Sequence, residues 1–424
     1  MAVRGRWWVA VASLAASACG GVFQHALPAA PARYEVAADA AQGLLVGSAE
    51  RDVTPSVGGY LAGFDLARTS TAVASPLKVR AFVFAAGERW FAVVGIDNLG
   101  VMREDADWIK GGLAGFANGD VFVCASHTHA GPDLIGLWGY WFLTSGRDRD
   151  YVARLRAATA DAVAEACASA RPAELRLGRA LLPPRGLVKN ANRAEVFDRR
   201  VTVLHAVARE DGRPLGTLLH LACHPEVLSR RNTAIGADFV GSLCDEWRAR
   251  GHGQAVFVNG ALGAMISPDV GPRDQSGVDA MGRALCELAE AALRSAAPMP
   301  VDAVEVRRQD VFLPMVSAGF RIGRLTTVLQ RELYEGHARS TVGWLRLGEF
   351  AAVAVPGEME PALAERVRAE LRLPELVVFG LCDDEVGYLL RDEEAVDPEY
   401  AYERSMSPSR SSGERVRRAL TGRR

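Results

Sequence analysis

The stretch Val121-Phe122-Val123-Cys124-Ala125-Ser126-His127-Thr128-His129-Ala130-Gly131-Pro132 decides how the rest of the chain is interpreted. Its first five residues form a continuous apolar run, which is the pattern of a buried strand. Gly131-Pro132 predicts a turn soon afterwards. In an extended backbone residues i and i+2 share a face, so His127 and His129 are expected to point the same way. Because neutral imidazole is the commonest metal ligand, the stretch predicts a strand that ends in a site.

A second stretch, Thr217-Leu218-Leu219-His220-Leu221-Ala222-Cys223-His224-Pro225, repeats this arrangement. His224 follows an apolar run and precedes a turn, as His127 does. His220 lies inside the run, and we interpret it as a hydrogen-bonded core histidine rather than a ligand. Four of the eight histidines therefore fall in two short windows. Zinc sites take most of their ligands from histidine, cysteine and carboxylate.

Two further apolar runs end in an acidic and a phenolic side chain. Phe350–Val355 leads through Pro356-Gly357 to Glu358, and Leu376–Leu381 leads through an acidic loop to Tyr388. Glu358 therefore lies at a strand-to-helix corner, before the helical pattern over 361–371, and α/β folds place chemistry at such corners. Taken singly, Glu358 fits a helix-start carboxylate equally well, and Tyr388 fits an ordinary half-buried aromatic residue.

Together these motifs resemble those of the neutral/alkaline non-lysosomal ceramidases, specifically their catalytic N-terminal domain. The resemblance covers roughly residues 47–404, and its motifs keep the family's order and approximate spacing. They are Ser126–Pro132, Cys223–Pro225, Asn232–Gly241, Asn259–Asp269, Val355–Glu358 and Gly380–Tyr388. The resemblance implies a zinc-dependent hydrolase that cleaves the N-acyl amide bond of a ceramide-like sphingolipid, releasing a fatty acid and a sphingoid base.

The resemblance also implies one Zn²⁺ per chain and its ligands. The matching positions are His127, His224, Glu358 and Tyr388. A hydrolytic zinc needs protein ligands that leave one position open for water. His129 is implied to lie beside the metal and to hydrogen-bond the water or the substrate, with direct coordination as the alternative.

Three more residues take catalytic roles from the resemblance. Ser267 matches the family's active-site serine, but Met265 stands where the family has an aspartate, and a nucleophilic serine needs a nearby base. We therefore favour water activated by zinc as the nucleophile and Ser267 as a positioning group, with a plain turn serine or a nucleophile as alternatives. Arg193 is expected to hold the substrate, and Tyr402 to donate to the developing oxyanion.

Length and composition agree with a large enzyme domain. The chain has 424 residues and 49% hydrophobic content, enough for a sizeable core. The formal net charge is −2, and no basic stripe precedes the last dozen residues, which argues against a nucleic-acid partner. The cysteines form no CxxC pair, and Cys124, Cys223 and Cys382 are expected to be buried small side chains.

Strand-like runs alternate with helical periodicity. Apolar residues at i, i+3 and i+4 predict helices over 151–170, 240–250, 278–296 and 361–371. The alternation predicts an α/β fold with mixed, largely parallel sheets flanked by helices in a single large catalytic domain.

The N-terminus carries an export signal. Arg4 and Arg6 precede an apolar segment over 7–16 that is too short to span a membrane, and Ser17-Ala18-Cys19 resembles a lipobox. We predict a signal segment and lipobox over 1–19, a tether over 20–45, the ceramidase-like zinc hydrolase domain over 46–405 and a basic tail over 406–424. The protein is expected in the bacterial cell envelope as a lipoprotein on a membrane surface, or secreted or periplasmic after simple cleavage.

Two alternatives stay open for function. The same zinc site is compatible with a non-lipid amide or ester in place of a lipid amide. The missing aspartate before Ser267 and the lack of a segment matching the family's C-terminal β-sandwich are compatible with a catalytically silent envelope lipoprotein. A silent descendant is expected to lose a zinc ligand, and none of the four is lost here.

Overall fold

The computed structural model describes residues 24–193, 196–326 and 328–422. The strands are β1 Gln24–His25, β2 Arg33–Asp39, β3 Leu44–Asp52, β4 Ala72–Val73, β5 Lys78–Ala86, β6 Arg89–Ile96, β7 Val121–Ala125, β8 Arg171–Leu181, β9 Val188–Asn190, β10 Arg200–Ala208, β11 Pro214–Leu221, β12 Ala234–Ile235, β13 Ala255–Asn259, β14 Ile266–Pro268, β15 Pro298–Met299, β16 Ala303–Pro314, β17 Leu333–Tyr334, β18 His337–Leu347, β19 Phe350–Ala354, β20 Glu358–Met359, β21 Val377–Phe379 and β22 Tyr388–Leu389.

The helices lie mainly between these strands, and each helical pattern noted in the sequence forms one. They are α1 Arg103–Lys110, α2 Arg149–Ala168, α3 Asp238–Ala249, α4 Gln275–Arg294, α5 Ala318–Leu325, α6 Pro361–Leu371, α7 Ala401–Ser405 and α8 Ser412–Thr421, with 3₁₀ turns at Asn118–Asp120 and Pro398–Tyr400. Helix α6 has the predicted bounds because Pro361 suits a first helical turn and the Glu360 carboxylate caps it, accepting from the amides of Ala362 and Leu363.

Two large sheets form the centre of the molecule. The nine-stranded sheet runs β13-β11-β10-β8-β3-β5-β6-β7, with β15 beside β8. The seven-stranded sheet runs β1-β17-β18-β16-β2, with β19 beside β18 and β21 beside β19. Both sheets are mixed, and the α/β class is as predicted.

The expectation of largely parallel sheets is corrected. Antiparallel pairs join β3 to β5, β5 to β6, β8 to β10, β10 to β11 and β16 to β18, whereas β6–β7, β11–β13 and β19–β21 are parallel. Short connections between adjacent strands account for two of the antiparallel pairings. Gly87-Glu88 and Gly348-Glu349 connect adjacent strands as short hairpins, and a short hairpin permits only antiparallel pairing.

The two sheets pack face to face, and helices cover their outer faces. One core cluster joins side chains of both sheets, including Phe82, Phe84, Leu204, Val306 and Phe350. Helices α3 and α4 bury apolar side chains on one half of the outer face of the nine-stranded sheet, and α1 and α2 cover the other half. Helices α6 and α8 cover the seven-stranded sheet. The order of layers is therefore helix, sheet, sheet, helix.

Both ends of the described chain belong to this core, which corrects two predicted boundaries. Strand β2, inside the predicted tether, pairs with β16 from Arg33 to Asp39. Helix α8, inside the predicted basic tail, buries Val416 and Leu420 against α6. Arg415 and Arg418 are exposed, and Arg417 pairs with Glu370 and Glu414, while the apolar stripe packs. Charge composition alone therefore concealed an amphipathic helix.

The predicted export signal and Cys19 lie outside the described residues. Within the described ranges, no helix combines the length and apolar character that crossing a bilayer requires. The three cysteines expected to be small core residues, Cys124, Cys223 and Cys382, are buried and free, as predicted.

Candidate metal centre and substrate cavity

The carboxyl ends of three strands meet at one buried amide. The Asn259 side chain, at the end of β13, donates to the carbonyls of Ser126 and Cys223, each at 2.8 Å. These carbonyls follow the ends of β7 and β11, so Asn259 ties together the two histidine-bearing loops. Strands β11 and β13 are parallel, so their carboxyl ends lie at the same edge of the sheet, and the hydrogen bond from Asn259 to Ser126 brings the loop after β7 to that edge.

His127 does not continue the strand, which corrects the expectation that it shares an extended face with His129. Its φ is 72°, in the left-handed region that is uncommon outside glycine. The backbone amide donates to Asn98 and the ring Nδ1 donates to the Leu99 carbonyl at 2.7 Å. Backbone strain of this kind is typical of functional sites. With Nδ1 protonated, Nε2 of the neutral ring is free to act as a ligand.

His224 is oriented in the same manner from the second loop. Its backbone amide and its Nδ1 both donate to the Ile266 carbonyl, each at 2.8 Å. Its Nε2 lies 3.1 Å from Oε2 of Glu358, and Nε2 of His127 lies 3.6 Å from the same oxygen. The two imidazoles and the carboxylate thus converge on one point.

Glu358 and Tyr388 are neighbours across a short parallel ladder. Strands β20 and β22 pair with Glu358 opposite Tyr388. The Tyr388 hydroxyl lies 3.5 Å from the Met265 sulfur, and burial together with the Glu358 charge raises the pKa of Tyr388 well above its usual value. All four predicted zinc ligands are buried residues of this one site.

His129 completes a cluster of three histidines. Among the histidine, cysteine and carboxylate groups of the described residues, His127, His129 and His224 have ligand atoms within 4.8 Å of one another. Neither ring nitrogen of His129 has a hydrogen-bond partner, although the ring is buried. Its Nδ1 lies 3.7 Å from Oε2 of Glu226. A buried imidazole without a partner is costly, and a metal, water or substrate would supply one. These donors therefore fit a metal ion.

Burial and mutual charge set the protonation of this site. Burial lowers the pKa of His127 to about 4, which keeps the ring neutral at pH 7. Burial likewise lowers the pKa of His129 well below its usual value, and the neighbouring histidines add to the effect. Burial acts to lower the pKa of His224 as well, but the hydrogen bond and charge of Glu358 outweigh it and raise that pKa.

Ser267 lies in β14, one residue after the carbonyl that holds His224. Its hydroxyl donates weakly to the Met265 carbonyl at 3.4 Å, and no imidazole, amine or carboxylate contacts it among the described residues. Met265 and Ala264 both have positive φ, at 55° and 68°, so the loop before Ser267 is strained. Ser267 therefore follows the residue that holds His224, but it is not among the residues that line the cavities, and it has no base to activate it.

Arg193 lies away from the cavity. Its guanidinium pairs with Asp397 at 2.5 Å and Glu399 at 3.5 Å. The preceding Asn192 donates to Glu403 at 2.6 Å, next to Tyr402. The segment therefore supports the helix that carries Tyr402, and the structure does not bring Arg193 itself to the metal site.

Two connected cavities lead from the histidines to the surface. The inner cavity is about 50 Å³ and the outer cavity is about 390 Å³. The inner cavity is lined by Gly63, Leu99, His127, His129, Ile135, Leu137, Trp138, Phe320, Leu329, Glu358, Glu385, Gly387, Tyr388, Tyr402 and Met406. The outer cavity shares Leu137, Trp138, Phe320, Leu329, Tyr402 and Met406 with it and adds Phe64, Leu66, Phe142, Gly319, Ile322, Gly323 and Ser405.

Tyr402 stands where the two cavities meet, with its ring centroid 6.1 Å from that of Tyr388. Partial burial and the charges of Glu358 and Glu403 raise the pKa of Tyr402 to about 12. The phenol therefore keeps its proton at neutral pH and is able to donate a hydrogen bond.

Sequence reasoning missed three residues of this site. Asn259 begins a recognised motif and Glu226 directly follows another, but neither was assigned a role, and Glu385 precedes the predicted ligand Tyr388 by three residues. The Oε1 of Glu385 accepts from the Gly387 amide at 2.7 Å, while its Oε2 is buried without a partner. His220, interpreted as a core histidine, is confirmed as one, with Nε2 donating to Val378 at 2.9 Å.

Comparison with solved structures agrees with this architecture. No family model and no curated protein sequence matches the chain. The neutral ceramidase of Pseudomonas aeruginosa superposes with a TM-score of 0.72 at 16% identity, over 89% of this chain and 73% of the other. This chain has the neutral ceramidase fold. A ceramidase complexed with C2 matches similarly, with a TM-score of 0.71 at 15% identity over 89% of this chain and 74% of that one. The ceramidase-like fold thus persists where little sequence identity is left.

Proposed function

We propose that this protein is a zinc-dependent amidohydrolase that cleaves a ceramide-like N-acyl amide into a fatty acid and an amine. The observation that carries the proposal is the convergence of His127, His224, Glu358 and Tyr388 beside a cavity with apolar outer walls, whose inner part is lined by all of them except His224. The likeness to two ceramidase structures supports the same substrate class.

Zinc bound by these four residues would supply Lewis-acid chemistry, polarising the amide carbonyl and making water acidic enough to attack it. His129, neutral and without a partner, would accept the proton from that water and deliver it to the departing amine. Tyr402 would donate its hydroxyl hydrogen to the oxygen on which negative charge develops. Ser267 would orient the substrate from the side of His224.

The apolar walls favour a lipid amide over a small polar one. Leu137, Trp138, Phe320 and Leu329 line both cavities and would contact the hydrocarbon next to the scissile bond. We also propose that the protein is exported to the cell envelope, which is supported by Arg4, Arg6 and the apolar segment over 7–16.

The test is hydrolysis of a fluorogenic short-chain ceramide by the full chain carrying Cys19→Ala, with zinc content measured in the same preparation. We expect about one zinc per chain and chelator-sensitive release of fatty acid. His127→Ala should abolish both, and His337→Ala, which alters a histidine outside the site, should abolish neither. Zinc without turnover would redirect the proposal to a non-lipid amide or ester, and a protein that binds no zinc would contradict the mechanism.

A further inference from the structure

The mouth of the outer cavity is surrounded by exposed apolar side chains. We call the six residues Leu66, Tyr140, Trp141, Phe142, Ile322 and Leu325 the apolar rim. Tyr140 is 74% exposed, Leu325 70% and Trp141 53%. Soluble proteins rarely expose large aromatic and aliphatic side chains side by side unless the patch binds something.

The rim is built on a loop without charge. Residues 134–146 contain no Asp, Glu, Lys or Arg. The buried Asp133 carboxylate holds the start of the loop by accepting from the amides of Ile135, Gly136 and Trp138 at 2.7 to 2.9 Å. The tip closes as a turn, since the Thr144 amide donates to the Trp141 carbonyl at 2.8 Å. The aromatic tip is therefore a defined projection.

The other half of the rim is the short amphipathic helix α5. Phe320 packs inward with Leu137 and Leu329, while Ile322 and Leu325 face outward. Arg321 and Arg324 are the only charged residues between 311 and 330. Neither arginine has a carboxylate partner among the described ion pairs. Arg321 is exposed and available to an anion, whereas Nη1 of Arg324 is buried without a partner and only part of that guanidinium reaches the surface.

We propose that the apolar rim docks this protein onto the surface of an anionic lipid bilayer, with α5 lying at the headgroup level and the mouth of the outer cavity facing the lipid. The inference rests on the proposed function, because a bilayer-borne amide is the substrate that benefits from such an entrance. Tyrosine and tryptophan favour the membrane–water boundary. Unpaired arginines beside apolar residues complement anionic headgroups.

The continuity between rim and cavity argues for a bilayer over a protein partner. Phe142 and Ile322 belong both to the exposed rim and to the lining of the outer cavity, and Trp138 continues the apolar surface to the inner cavity. A hydrocarbon chain therefore meets an unbroken apolar path from the rim to the histidines. A second copy of this chain is also able to cover an apolar rim, and the test below distinguishes such a dimer from vesicle binding.

The test measures co-sedimentation of the full chain with vesicles of phosphatidylcholine, with and without phosphatidylglycerol. All proteins carry Cys19→Ala, so the predicted lipid anchor does not contribute. The triple variant Tyr140→Ser, Trp141→Ser, Leu325→Ser alters only rim residues that line neither cavity. We expect it to bind vesicles at least about tenfold more weakly. The control Leu181→Ser, which removes an apolar side chain 60% exposed on β8, should bind like the parent.

The charge component is tested by Arg321→Gln, alone and with Arg324→Gln. Both variants should lose part of the preference for phosphatidylglycerol while still binding neutral vesicles. Circular dichroism checks folding, and the single variant keeps the test valid if the double one unfolds. An equal affinity of parent and triple variant for vesicles would overturn the proposal, as would a dimer that the triple variant dissociates.

Turnover separates this inference from the proposed function. The triple variant should hydrolyse a soluble short-chain amide at the parent rate but a vesicle-embedded amide more slowly. Turnover of the soluble amide without vesicle binding would overturn docking alone. Rim-dependent vesicle binding without turnover of either amide would overturn the proposed function and leave docking supported.

Discussion

Nε2 of His224 lies 3.1 Å from Oε2 of Glu358, while Nδ1 of the same ring donates to the Ile266 carbonyl. A carbonyl only accepts, so Nδ1 carries a proton. A hydrogen bond to the carboxylate requires a second proton on Nε2. The pair is then imidazolium and carboxylate, and the Nε2 proton occupies the direction in which a metal would bind. Metal uptake must therefore displace that proton.

Zinc affinity is expected to depend on pH through this pair. The pKa of His224 is raised because Glu358 outweighs the effect of burial. The charged form therefore persists to higher pH than in an ordinary histidine, and zinc affinity should fall as pH falls through that raised pKa. Chelator competition across a pH series measures the effect. Glu358→Gln should weaken zinc binding overall and move the pH-dependent loss to lower pH. An affinity that does not change with pH would contradict the pairing.

Replacement of either His127 or His224 should prevent zinc binding. His127→Ala and His224→Ala each delete a ligand whose ring is held by a backbone carbonyl, and we expect zinc to drop to about a tenth of a molar equivalent or less. Elemental analysis of protein dialysed against metal-free buffer provides the measurement. His337→Ala is the matched control and should retain a full equivalent.

Loss of the His129 side chain should impair catalysis without impairing zinc binding. We expect His129→Ala to keep zinc but to lower kcat by roughly 10²- to 10⁴-fold, the usual effect of losing a general acid–base group. His129→Gln should behave similarly, because glutamine hydrogen-bonds but does not transfer the proton. Zinc loss in both variants would instead make His129 a ligand, which its place in the three-histidine cluster also permits.

Ser267 should assist the reaction without forming a covalent intermediate. Its hydroxyl contacts only the Met265 carbonyl and has no base nearby. We expect Ser267→Ala to lower kcat/KM by about 10- to 100-fold, with zinc content unchanged. Mass spectrometry of rapidly quenched enzyme should show no acylated serine. Detection of that adduct would assign Ser267 as the nucleophile.

Helix α8 should contribute to stability like any core element. Leu420 is 3% exposed within the cluster that joins α6 and α8. We expect Leu420→Ala to lower the free energy of unfolding by about 2 to 4 kcal/mol, measured by urea denaturation. Arg415→Ala, on the exposed face of the same helix, should change it by about 0.5 kcal/mol or less. Equal effects would contradict the packing of α8.

Local patterns predicted much of the secondary structure. The run 121–125 is strand β7, and the periodicity over 361–371 is helix α6, because both depend on neighbouring residues along the chain. Strand direction was less predictable. Helical segments between strands suggested parallel crossovers, whereas the two-residue hairpin at Gly87-Glu88 and its counterpart at Gly348-Glu349 impose antiparallel neighbours.

The α/β class and the residue types of the site were predictable from the sequence, because buried strands and turns leave periodic and compositional patterns along the chain. It also placed His127, His224, Glu358 and Tyr388 at the ends of apolar runs. Their convergence on one point follows from long-range contacts that the sequence does not reveal. That convergence depends on the left-handed backbone at His127 and on the pairing of Glu358 with Tyr388 across thirty residues. The position of Arg193 away from the cavity also follows from the tertiary structure, because Arg193 pairs with the distant residue Asp397 and such ion pairs leave no local sequence pattern.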